Sequence, residues 1–162
     1  MFEATTNAAT GFGDYGAYRK LGSNYHTYLD LADYFTVDQA TVPVDYIFLK
    51  DDVAATTTWK TDSVSVSFGG VPVKLRISLT VEQKDVTVNV AGIDYANTIV
   101  VIEKYEGSVV PNNWVDLTDE AGYVKSYYAR NIGLIKQDYY DPDGTFNPPV
   151  TLSLDMRRHQ VF

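Results

Sequence analysis

Gly11-Phe12-Gly13-Asp14-Tyr15-Gly16 matches G-x-G-x-x-G, the spacing with which a strand-to-helix turn cradles a dinucleotide pyrophosphate. That chemistry needs an apolar strand before the glycines and a helix after them. The residues before Gly11 are polar and alanine-rich, and Leu21-Gly22-Ser23 interrupts any following helix, so dinucleotide binding is set aside. Asp141, Asp143 and Gly144 form part of an EF-hand pattern. Tyr139 stands at its first ligand position, however, and Val150 at its twelfth, where a bidentate Glu is required. A hairpin turn accounts for these residues better.

Only two histidines, His26 and His159, are present and there is no cysteine, so disulfides, thiolate metal sites and a cysteine nucleophile are excluded, and the usual donors for a tight zinc site are lacking. No G-x-S-x-G elbow occurs, and the Arg157 charge close to His159 disfavours the imidazolium of a general base. The acidic pairs Asp51-Asp52 and Asp119-Glu120 fall in expected loops, where a solvated surface is the ordinary role. No catalytic residue, metal or cofactor is therefore expected.

The compositional excess is aromatic: thirteen tyrosines and two tryptophans. A strand tyrosine packs its ring on the sheet while its hydroxyl reaches water, and the same rings can line a cavity. Tyr127-Tyr128 and Tyr139-Tyr140 each put one ring on either face of a strand. If an apolar ligand is bound, the contacts expected are Trp59, Tyr95, Tyr105, Trp114, Tyr127 and Tyr128.

The elements that must carry these rings read as strands. Val64, Val66 and Phe68 alternate with serines up to Gly69-Gly70, and Val71 to Val81 return with period two, which is a hairpin signal. A reversal is expected at Lys84-Asp85, followed by a strand over Val86 to Val90 that ends at Ala91-Gly92. Ile99 to Ile102 are apolar at four consecutive positions, which in a strand requires cover on both faces. Gly107 to Asn113 reads as a loop. Tyr123 to Tyr140 makes two runs or one bent strand around Asn131 and Gly133; Gly92 and Gly133 are the expected bends. Pro142-Asp143-Gly144 is a turn, and Val150 to Met156 alternate in a last strand.

The first 62 residues are less regular. Residues 1–23 are expected to be an irregular aromatic segment packed on the rest. Tyr25 to Phe35 fits helical spacing at Tyr28, Leu31 and Phe35, but a strand fits as well and is preferred. Val44 to Leu49 and Thr56 to Trp59 are further strand candidates. The expected fold is all-β or mainly β: one domain over 1–162, with at most one short helix.

The chain has 162 residues, 45% of them hydrophobic and 21% charged, enough for one domain of ordinary size. Thirteen basic against twenty-one acidic residues leave a net charge of -8, which repels phosphate backbones and anionic membranes, so nucleic acid is not an expected partner. No run of 18 apolar residues and no export signal follow Met1, so no transmembrane segment is expected.

Three segments resemble a group of bacterial envelope lipoproteins, common in Bacteroidetes, with folds like the LolA/LolB half-barrel and TapB-type domains. They are Thr57-Thr58-Trp59, the stretch Val86 to Asn97 leading into Ile99 to Val101, and Tyr127 to Lys136. The resemblance implies a strongly curved antiparallel sheet, a half-barrel or incomplete barrel. It also implies a precursor with a signal peptide and a lipidated cysteine, and a periplasmic or surface-exposed place in the cell envelope. Carrier half-barrels cover their concave face with helices, and this chain offers at most the short Tyr25 to Phe35 segment, so something else must cover the second face of Ile99 to Ile102 and Ile132 to Ile135. Two readings follow. One is a non-enzymatic envelope protein whose curved sheet binds a lipid, another apolar ligand or an envelope protein. The other is a structural or protein-interaction module without a small-molecule site.

Overall fold

The computed structural model of the chain describes residues 18–33 and 35–140, and the backbone of 150–155. The G-x-G-x-x-G stretch, the Pro142-Asp143-Gly144 turn and His159 lie outside the described residues. In chain order the elements are β1 (Tyr18–Leu21), β2 (Asn24–Asp30), a 3-10 turn (Leu31–Asp33), β3 (Pro43–Lys50), β4 (Thr58–Lys60), β5 (Val64–Phe68), β6 (Val71–Val90), β7 (Ile93–Val110), β8 (Asn113–Asp116), α1 (Thr118–Ala121), β9 (Tyr123–Ala129), β10 (Gly133–Tyr140) and β11 (Val150–Asp155). The protein is mainly β with antiparallel sheets, and α1 is the one α-helix among the described residues. Among the described residues neither sheet is closed or strongly curled.

The described residues form two compact units. One holds 18–52, Thr61–Leu75 and Ser108–Asn113. Its three-stranded sheet has the order β1-β2-β3. Inside β3 the buried positions change from Val44 and Tyr46 to Leu49, because the pairing with β2 slips by one residue: Tyr25 faces Leu49 but His26 faces Ile47. One extra residue in a strand exchanges its faces beyond that point. The end of β2 is fixed by Asp30, whose carboxylate accepts N–H bonds from Ala32 (3.0 Å) and Val42 (2.5 Å). This is why Tyr25 to Asp33 is a strand followed by a short turn: an aspartate that bonds nearby backbone groups competes with helix formation. Part of the expected irregular N-terminal segment is also strand, because Tyr18 to Leu21 pair with Asn24 to Thr27. In the same unit β5 and β6 pair around Gly69-Gly70, from Val64 against Leu75 to Phe68 against Val71. The turn is held by Asp38, whose carboxylate accepts the N–H groups of Gly69 and Gly70 at 3.0 and 2.8 Å.

The other unit holds Val53–Lys60, Arg76–Gly107, 114–140 and 150–155. Its strand order is β11-β10-β9-β7-β6-β4. Two sequence expectations are corrected here. There is no reversal at Lys84-Asp85: β6 runs unbroken from Val71 to Val90, and Asp85 is accommodated within it at φ 57°. Asp tolerates that left-handed backbone better than most residues, so a turn signal is absorbed without a turn. Second, Gly107 to Val110 belong to β7, and the reversal is confined to Pro111-Asn112, with Asn112 at φ 64°.

The buried positions of β6 are odd at Leu75, Ile77, Leu79 and Val81, whereas farther on the inward positions are even, at Val86, Val88 and Val90. Ile99, Val100 and Val101 are all buried, as four consecutive apolar residues demand of a strand flanked on both edges; Ile102 is half-buried. The segment Tyr123 to Tyr140 resolves into two strands, β9 and β10, joined through Arg130 to Ile132. Gly133 opens β10 at φ +101°.

Candidate functional site

The six aromatic residues singled out above range from buried to half-buried. Tyr95 is buried in a core cluster with Val90, Ala129 and Ile135, and Val88, Tyr127 and Ile132 pack against it. Tyr95 and Tyr127 are thus brought together, Tyr95 within packed core and Tyr127 half-buried against it. Tyr105 is buried and donates its hydroxyl to Glu103 Oε1 at 3.1 Å. Trp59 is half-buried on β4 opposite Leu79. Tyr128 is half-buried on β9, between Ile99 of β7 and Leu134 of β10. Trp114 is half-buried, with the Arg76 guanidinium 3.7 Å from its ring centre.

The Trp114 neighbourhood is an electrostatic cluster that the sequence gives no means of assembling. Glu106 Oε2 accepts from Arg76 Nε at 2.6 Å, and Lys60 Nζ lies 2.8 Å from Glu106 Oε1. Burial pushes the Glu106 carboxyl upward, but the hydrogen bonds and charges of Lys60 and Arg76 outweigh it and hold the group below its ordinary range. With the arginine engaged by both a carboxylate and an indole face, the cluster is a clasp, and its cations are already satisfied.

A second cluster lies on β9 and β10. Tyr123 and Tyr140 face each other across the strands with ring centres 4.3 Å apart and planes within 6°. Lys125 is paired with Glu82 (2.9 Å), and Lys136 with Asp138 (2.9 Å). Asp138, almost fully buried, also accepts the Tyr127 hydroxyl at 3.0 Å. Burial first, and then this acceptor, raise the Tyr127 pKa strongly. Tyrosines held so firmly protonated are structural donors. Among the described residues, no group of three or more His, Asp or Glu side chains is arranged to hold a metal ion.

A concave feature among the described residues lies elsewhere, within the first unit. It is an open apolar groove of about 200 Å³ lined by Ser65, Pro72, Val73, Lys74, Ser108, Val109, Val110 and Pro111. The Ser108 hydroxyl donates to the Val110 carbonyl at 2.6 Å. Val109 and Val110 stay 67% and 55% exposed, and Val71 at the start of β6 stays 54% exposed. None of the six aromatic residues lines this groove. Reading 107–113 as a loop hid it, although Val109-Val110-Pro111 is itself an apolar run beside a break.

No family model, no curated protein and no solved structure matches the chain.

Proposed function

We propose that this chain is a non-enzymatic interaction module that seats apolar side chains of a partner protein in the groove of Pro72, Val73, Val109, Val110 and Pro111. The single observation that carries this reading is the groove itself: apolar, open and left with its valines in water. Its apolar lining and exposed valines are suited to receiving an apolar side chain of a partner. Size favours a side-chain guest over a carried lipid. A site that encloses a small molecule usually measures about 300–1,000 Å³ and buries most of it, whereas this groove is about 200 Å³ and open. The cell envelope is the proposed setting, and its support is the resemblance of the Thr57 to Trp59, Val86 to Asn97 and Tyr127 to Lys136 segments.

The test is a photo-crosslinking amino acid at Val109, with the exposed Asp119 as control, in the native host. A discrete protein adduct formed at Val109 and absent at Asp119 is expected. Solvent extraction of the purified protein, followed by mass spectrometry, is expected to return no recurring lipid; a stoichiometric lipid would replace the proposal with carriage of an apolar ligand.

A further inference from the structure

The outer edge of β6 carries an inference independent of the groove. On that edge β4 covers only Ser78 to Thr80, and Thr56 and Thr57 extend the cover to Val81 through backbone bonds of 2.7 and 3.0 Å. Lys84 reaches the Val53 carbonyl at 2.8 Å. Beyond Asp85, among the described residues, no strand pairs with the outer edge of Val86 to Val90.

The direction of the free groups follows from the turn. Ala91 and Gly92 both have positive φ, 51° and 85°, the conformation of a tight two-residue hairpin whose flanking residues bond to each other. Val90 and Ile93 are therefore paired inward. By alternation the N–H and C=O groups of Thr87 and Asn89 point away from β7.

Natural sheets protect such an edge with a proline, a lysine or a bulge. The stretch Val86-Thr87-Val88-Asn89-Val90 has none of these and no charge. It is also nearly palindromic about Val88. We propose that β6 pairs antiparallel with β6 of a second copy of this chain, across a two-fold axis at Val88. In that register Val88 meets Val88, and Val86 meets Val90. Thr87 and Asn89 exchange their outward N–H···O bonds on both sides of the axis. The interface is isologous, as a two-fold dimer requires, and no like charges oppose one another within it. Its short length makes the dimer reversible, at the weak end of specific interfaces.

The absence of cysteine gives a clean test of register. In a non-hydrogen-bonded antiparallel pair the Cα atoms lie about 4.5 Å apart, within the roughly 4.4–6.8 Å that a disulfide spans. Val88→Cys is expected to oxidise to a covalent dimer. Val86→Cys and Val90→Cys are expected to stay monomeric alone and to cross-link when mixed, with circular dichroism verifying that each variant is folded. Sedimentation of the unaltered protein is expected to show a mass rising from monomer to dimer with concentration, and Thr87→Pro, which removes an outward donor, to abolish the rise. A mass that stays monomeric with no Val88→Cys dimer overturns the proposal. Cross-linking of Val86→Cys alone as readily as Val88→Cys overturns the register.

Discussion

Tyr127 shows how a residue chosen for its ring can owe its place to its hydroxyl. It donates to Asp138 at 3.0 Å, an acceptor only 3% exposed that also receives Lys136. Removing one partner from a buried carboxylate costs more than an average hydrogen bond returns. Tyr127→Phe is accordingly expected to lose about 1–2 kcal/mol at neutral pH, read from a urea midpoint. The pH dependence has a definite sign. The folded state binds the phenolic proton more tightly than the unfolded chain, whose value is 10.0. The stabilisation is therefore complete below pH 10 and is lost as the pH rises from there toward the folded value. Tyr18 and Tyr140 are also raised, in both cases chiefly by burial, so the alkaline decline of stability in Tyr127→Phe is expected to be shallower than in the parent but not absent. Equal slopes in the two proteins would remove Tyr127 from the account.

The hairpin of β9 and β10 depends on a residue that has no side chain to place. Gly133 has φ +101° and nothing within 4 Å of where a Cβ would stand, so a substitution there meets open space and the penalty lies in the backbone alone. That region is nearly closed to β-branched residues, and Gly133→Val is expected to cost about 1–3 kcal/mol in thermal or urea unfolding; unchanged stability would show that the backbone relaxes freely. This bend was legible because glycine punctuates an otherwise apolar, aromatic run, and Val64 to Val81 was legible because period-two alternation has one simple solution. Two signals misled for opposite reasons. Lys84-Asp85 has turn-forming residues, yet a strand long enough to keep its partners absorbs one left-handed residue. Gly107 to Val110 adjoin the loop residues Pro111-Asn112-Asn113, yet they continue β7. The clasp of Lys60, Arg76, Glu106 and Trp114 was not legible at all, because its members are far apart in sequence and meet only through strand register, which is a property of pairing and not of local pattern. The surroundings of the aromatic candidates were not legible for a related reason: parity assigns a ring to a face, but it does not say whether that face holds core or cavity.

The apolar inventory divides into side chains that hold the fold and side chains left for something else, and the division can be measured. Ile77, Val81 and Ile135 have no accessible surface, while Val71, Val109 and Val110 are more than half exposed. If the exposed valines serve binding, charging one of them is nearly free for folding and decisive for association. Val109→Asp is expected to change stability by no more than about 0.5 kcal/mol, the usual range for surface positions, and to eliminate the protein adduct formed by a crosslinker placed at the neighbouring Val110. Ile77→Ala is expected to cost about 2–5 kcal/mol through lost burial and a cavity, and to leave the adduct intact under conditions where the variant is folded. The two substitutions thus form a crossed pair, one moving association without stability and the other stability without association. A Val109→Asp protein that unfolds as readily as Ile77→Ala would place the groove in the core, and the exposed valines would then need no partner to explain them.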